Sequence, residues 1–210
     1  MDVSSGANLI NQTQILIQQN HRHWFEVLFD WEQRNEYAVW TMEGGLLGHI
    51  IEEGSGFMHA MKRQFLGSHR PLSVSVVPSE SAEAAISMER KFFWFFSDMT
   101  VVDPTGMAHG RVQRRFGILN KKYDLVDREE QVFATIRGPL LRPWTFKVYD
   151  REGRHVATIS KKWSGLGIET FTDADNFLLD YGDHPWTPAQ KAVIMAAAIT
   201  IDFDFFERSN

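Results

Sequence analysis

Two neighbouring segments of the 210-residue chain contain most of the side chains whose types and spacing could do chemistry. In the first, Asp173 and Asp175, followed by Asp180 and Asp183, could supply oxygen ligands to a calcium ion or form an acid/base pair. The alternative is a turn whose side chains bond the local backbone. An EF-hand is excluded, because the positions that require a further oxygen ligand, a glycine and a final glutamate carry Phe, Leu and His.

The second segment is the basic cluster formed by Lys161, Lys162 and Trp163. Successive side chains of a strand face opposite sides, so Lys161 and Trp163 would share one face. A lysine beside a tryptophan at a surface suits a lipid headgroup interface, where the indole lies in the boundary and the cation meets phosphate. We therefore predict that these residues bind anionic lipid groups; the alternative is a set of solvated charges. Other basic pairs with the same alternative are Arg90-Lys91, Arg114-Arg115 and Lys121-Lys122.

Composition narrows the classes of protein that the chain could be. The 43% hydrophobic and 23% charged residues are typical of a globular protein, and the net charge of -5 argues against a nucleic-acid binder. The absence of cysteine excludes disulfides, thiolate zinc sites and cysteine nucleophiles. The histidines show no metal-ligand spacing, and the usual hydrolase and nucleotide-binding motifs are missing, so we do not expect an enzyme.

The beginning of the sequence is polar and rich in Gln and Asn. Residues 1–22 are predicted to form a flexible tail or an edge strand, followed by a single domain over residues 23–210. No secretory signal pattern is present, so the expected location is cytoplasmic.

Short segments rich in Val, Ile, Phe, Trp and Tyr recur between turn signals and predict antiparallel strands. An internal repeat strengthens this prediction: "VYDREGRHVATI" resembles "LVDREEQVFATI", and "VVDPTGMAHGRV" is a looser copy. The turns begin at Asp103, Asp127 and Asp150, and each copy has the pattern of a β-hairpin. The run "KFFWFF" at 91–96 is either a strand buried on both faces or an exposed membrane or partner surface.

The sequence predicts one long helix, near the C-terminus. Thr187, Pro188 and Gln190 form a typical helix start, with a capping box and proline at the first helical position. Nearly every residue from 192 to 201 is apolar, so the helix must be buried in protein or in lipid. The short apolar run and the following Asp202 and Asp204 favour a protein core. The simplest arrangement is a β-barrel around a hydrophobic helix at about 188–206.

Three segments, "ISKKWSG", "ETFTDADNF" and "KAVIMAAAITIDFDFFE", resemble the phospholipid scramblase family in their order and residues. The resemblance covers roughly residues 36–207 and implies a mainly β, tubby-like fold: a closed antiparallel barrel of about twelve strands around the C-terminal helix. It also implies calcium-stimulated movement of phospholipids between leaflets. The calcium segment of the family maps onto Asp173 through His184, of which this chain keeps the first five residues.

The family's proline-rich and cysteine-rich segments have no counterpart in the sequence, so the resemblance implies a minimal member. The function expected from it is binding to anionic phospholipid membranes, with lipid movement between leaflets, at a peripheral membrane location. Calcium is the one cofactor that the resemblance suggests. The alternative is a soluble tubby-like module that binds a protein or an acidic polymer without moving lipid.

Overall fold

The computed structural model describes residues 7–19, 36–53, 71–92, 98–117, 120–139, 144–161 and 176–205. Within these ranges the chain forms two helices and twelve strands. The helices are α1 (Ala7–Asn11) and α2 (Pro188–Phe205). The strands are β1 (Gln14–Gln19), β2 (Glu36–Trp40), β3 (Leu46–Glu52), β4 (Leu72–Pro78), β5 (Ile86–Arg90), β6 (Asp98–Val102), β7 (Ala108–Arg115), β8 (Asn120–Asp127), β9 (Val132–Pro139), β10 (Thr145–Asp150), β11 (His155–Lys161) and β12 (Asn176–Asp180).

The twelve strands form a closed antiparallel barrel, which confirms the predicted fold class. Each strand from β2 to β12 pairs with its neighbours in the sequence, and β1 closes the barrel between β12 and β2. The predicted tail thus contributes a strand that is paired on both sides, neither a flexible end nor an edge. Ile15 and Ile17 are fully buried in the core, and this burial stabilises β1 in its position.

The internal repeat appears as three hairpins with the same turn geometry. In each turn the first aspartate exchanges backbone hydrogen bonds with residues three and four positions later. Gly106 and Gly153 occupy the left-handed position in two of the turns, with φ of 84° and 79°. Glu130 occupies it in the third with φ of 63°, the one described non-glycine residue with positive φ. The hairpin prediction is confirmed.

Helix α2 fills the barrel. Gln190 N donates to Thr187 Oγ1 at 3.2 Å and Thr187 N donates to Gln190 Oε1 at 3.0 Å, so the predicted capping box is present. All residues from 192 to 204 are buried, and the small alanines allow close approach to the barrel wall. At Gly110, an added Cβ would lie 2.2 Å from the Val126 carbonyl oxygen and 3.0 Å from Val193 of the helix. A side chain at position 110 would therefore force the neighbouring backbone of β8 to shift.

The two ends of the barrel are named here after the ends of α2. At the N-end, where α2 begins, short turns join the strands: residues 41–45, 79–85, 103–107, 128–131, 151–154 and 181–187. At the C-end, α2 finishes at Phe205, and the odd-numbered strands β1, β3, β5, β7, β9 and β11 end. The run "KFFWFF" begins after β5 at the C-end; Lys91 and Phe92 are exposed, and residues 93–96 lie outside the described residues.

Candidate anion-binding surface

The inner wall of the C-end holds two buried carboxylates of α2 in place. Asp202 accepts hydrogen bonds from Tyr37 Oη at 2.7 Å and from Lys161 Nζ at 2.8 Å. Asp204 accepts from Tyr123 Oη at 2.9 Å and from Arg90 Nη1 at 3.2 Å. We call these six residues the aspartate clamp. Its four donors come from β2, β5, β8 and β11, that is, from every third strand around the barrel.

The clamp explains how α2 tolerates two acidic residues in its last turn. Negative charge at a helix C-terminus is unfavourable, and a buried carboxylate needs a partner. The Arg90 and Asp204 side chains are both 0% exposed, and a second guanidinium, that of Arg114, lies 3.6 Å from Asp204. Burial, followed by the negative charge of Asp204, raises the pKa of Tyr123 well above its usual value, so this phenol donates as a neutral hydroxyl.

Lys161 has a different place from the one that the sequence suggested. Its side chain is 9% exposed and its ammonium group binds Asp202 inside the barrel. The expected surface position is therefore wrong, because β11 turns Lys161 inward, on the same side as the buried Ile159. A role in anion binding for Lys161 stays a prediction. Lys162 and Trp163 lie outside the described residues.

The outer wall near the C-end carries a row of cations that the sequence did not reveal. Four exposed side chains face outward from β7, β8, β9 and β10, and each lies directly opposite the next in the strand register. We call this row the basic ladder; its members are Arg115, Lys122, Arg137 and Lys147. With neighbouring strands about 4.8 Å apart, the row is roughly 14 Å long.

The ladder is electrostatically unbalanced. Asp124 binds Arg115 at 2.7 Å, whereas no carboxylate of the described residues pairs with Lys122, Arg137 or Lys147. The Arg137 guanidinium lies 5.0 Å from the ring centre of Tyr149, a contact that adds no negative charge. Like charges directly opposite one another destabilise a sheet. An anionic ligand on this face would remove that repulsion.

Exposed aromatic side chains border the ladder at the C-end. Phe116, which follows Arg115, is 75% exposed, and Trp144, just before β10, is 45% exposed. Both positions lie at the C-end, next to the first and the last strand of the ladder.

The structure describes two of the four carboxylates of the predicted site, Asp180 and Asp183. Asp180 accepts from Gln14 Nε2 at 3.0 Å and from Gly182 N at 2.9 Å, while Asp183 is exposed in the following turn at the N-end. Asp173 and Asp175 lie outside the described residues. Within the described ranges, no three His, Asp or Glu side chains come together as metal ligands. Calcium binding by these aspartates stays a prediction.

Comparison of the sequence with models of known protein families identifies the family of this barrel. The family model named Scramblase matches residues 2–208, almost the whole chain. The chain belongs to the scramblase family. This confirms the resemblance that the three sequence segments indicated.

Curated relatives of this scramblase family member come from yeasts and mammals. A phospholipid scramblase family protein of Schizosaccharomyces pombe is 25% identical over 98% of the chain and 62% of its own length. The altered inheritance rate of mitochondria protein 25 of Saccharomyces cerevisiae is 24% identical over 96% of the chain and 73% of its own length. Phospholipid scramblase 1 of Rattus norvegicus is 26% identical over 100% of the chain and 64% of its own length. The chain thus spans less than two thirds of two of these relatives.

No solved structure matches this family member. Across the residues that the structure describes, none of its helices has both the length and the apolar character needed to cross a membrane.

The ladder could not be found from the sequence, and the reason is geometric. Its members are separated by 7, 15 and 10 positions, so no periodicity connects them. Arg115 and Lys122 belong to basic pairs that could equally be solvated charges, whereas Arg137 and Lys147 stand alone. Only the register of four strands brings the charges into one row. The aspartate clamp, in contrast, was indicated by the sequence, since acidic residues in an apolar helix require buried partners.

Proposed function

We propose that this scramblase family member binds anionic phospholipid membranes through the basic ladder, as a folded barrel with α2 inside. The observation that supports this function is the row of four outward cations, three of which have no carboxylate partner among the described residues. Each lysine or arginine near an anionic leaflet contributes about 1 kcal/mol of attraction. A planar membrane suits the ladder, because side chains on one outer wall can contact several headgroups at once.

The opposite end of the barrel favours the same orientation. Its described turns contain eight carboxylates and three arginines, so the N-end carries a surplus of negative charge and an anionic leaflet would repel it. The carboxylates are those of Glu43, Glu80, Glu83, Asp103, Glu129, Glu130, Glu152 and Asp183, and the arginines are Arg128, Arg151 and Arg154.

Co-sedimentation with vesicles tests the proposed binding. We expect the protein to pellet with phosphatidylcholine vesicles that contain phosphatidylserine, and to stay in the supernatant with phosphatidylcholine alone. Binding should persist in a calcium chelator, because the ladder needs no metal. An increase on adding calcium would support a calcium site in the segment from Asp173 to Asp183. No binding to anionic vesicles in either condition would contradict the proposal.

The names of the phospholipid scramblase relatives suggest that a membrane-bound protein of this kind also moves lipids between leaflets. A second candidate is a lipid-binding module without translocation, and the buried helix favours it because Asp202 and Asp204 are paired with Lys161 and Arg90 inside the barrel. Dithionite quenching of fluorescent lipid in the same vesicles separates the two functions. Loss of inner-leaflet protection that depends on protein would support translocation, and unchanged protection would support the module.

A further inference from the structure

The exposed aromatic residues at the C-end occupy a specific place relative to the ladder. The ladder begins on β7 and finishes on β10. Next to each of these two strands, at the C-end, lies one exposed aromatic side chain. Phe116 directly follows Arg115, while Trp144 precedes Lys147 by three residues, about 10 Å along an extended strand. Along their strands, both aromatic positions thus lie between the cations and the barrel mouth.

Neither side chain is required by the core. Phe116 is 75% and Trp144 45% exposed, whereas the inward residues of the same strands, Val112 and Phe146, are fully buried. Exposed aliphatic residues also occur at the N-end, where Met107 is 53% and Val132 37% exposed, but the turns there carry surplus negative charge. Tryptophan and other aromatic rings favour the boundary between headgroups and acyl chains, provided that the surrounding charges do not repel the leaflet.

We infer that Phe116 and Trp144 insert into the headgroup–acyl boundary of an anionic bilayer while the ladder contacts the phosphates. This inference rests on the proposed membrane binding and deepens it. The ligand has two parts, an anionic headgroup for the cations and an apolar boundary for the rings. In the docked barrel, strands β7–β10 therefore have their C-end edge towards the lipid. The loops at the N-end point away from the lipid.

Two kinds of contact respond differently to salt, and this difference tests the inference. Attraction between the ladder and headgroups is screened, since the Debye length falls from about 10 Å at 0.1 M salt to about 3 Å at 1 M. Insertion of aromatic rings is not screened. The variant Phe116→Ser/Trp144→Ser should therefore bind anionic vesicles on the order of 10-fold more weakly than the wild type at low and at high salt alike.

The matched control is Met107→Ser/Val132→Ser, which removes two exposed apolar side chains from the N-end. It should bind vesicles as the wild type does at every salt concentration. Equal weakening in both variants would overturn the inference. So would an effect of the aromatic variant that disappears at high salt, because this would show that the rings act only through the charges. Wild-type protein that binds no vesicle would instead contradict the proposed function itself.

A fluorescent label gives a second readout that does not depend on affinity. The chain has no cysteine, so Phe116→Cys and Met107→Cys can each carry one environment-sensitive fluorophore. On addition of phosphatidylserine-containing vesicles, we expect a blue shift for the label at 116 and none at 107. A bound protein whose label at 116 shows no shift, or whose label at 107 alone shifts, would contradict insertion of the C-end.

Discussion

Replacing three cations of the ladder should remove most of the affinity for anionic membranes. The variant Lys122→Gln/Arg137→Gln/Lys147→Gln removes the three charges that have no carboxylate partner among the described residues. Glutamine keeps a long polar side chain at each position. At about 1 kcal/mol for each cation, the loss is roughly 3 kcal/mol, on the order of 100-fold in affinity. Vesicle titration at low salt measures it.

A matched control separates the ladder from the net charge of the protein. Arg128→Gln/Arg151→Gln/Arg154→Gln changes the charge by the same amount at the N-end, where all three side chains are exposed. It should reduce vesicle affinity by less than about 3-fold, since screening limits long-range effects. Equal losses in the two variants would contradict the ladder as the site. The ladder variant should also unfold no earlier than the wild type, because its like-charge repulsion is removed.

Removing the carboxylate of Asp204 should have the largest effect on stability. Asp204→Ala removes the carboxylate that the fully buried Arg90 side chain and the Tyr123 hydroxyl share as an acceptor. Breaking a buried ion pair from one side costs about 3–5 kcal/mol, because the remaining charge stays buried. For a domain of this size, the melting temperature should fall by roughly 10 °C. Urea or thermal unfolding followed by circular dichroism measures the change.

Glu129→Ala provides the comparison for this variant. It also removes one carboxylate that pairs with an arginine, but the Glu129 and Arg128 side chains are 59% and 62% exposed. Such surface pairs contribute at most about 1 kcal/mol, so stability should be nearly unchanged. If Asp204→Ala were no more destabilising than Glu129→Ala, the clamp would not hold α2 in the barrel. A second variant, Asp204→Asn, keeps the shape and should fall between the two.

The sequence predicted the architecture well, because the fold depends on local patterns. The Asp-initiated turns, the alternating strands and the capping box at Thr187 are each encoded within a few residues. The burial of α2 followed from its uniformly apolar surface. The exception was β1, whose polar Gln and Asn residues concealed two core isoleucines.

The candidate site was harder to predict because it depends on long-range register. The orientation of Lys161 is set by the alternation of β11, and its partner Asp202 lies 41 residues away in the sequence. The ladder requires the pairing of four strands, and no local pattern marks it. Such a row can be recognised only after the order and register of the strands are known.

The proposed membrane-contacting face is the outer wall of β7–β10 near the C-end. Nuclear magnetic resonance with spin-labelled lipids in anionic nanodiscs tests it directly, since broadening marks the residues nearest the bilayer. We expect the strongest broadening at the ladder residues and at Phe116 and Trp144, with sharp signals from the N-end turns. Broadening concentrated on the outer wall of β1–β4 or on the N-end turns would contradict this orientation.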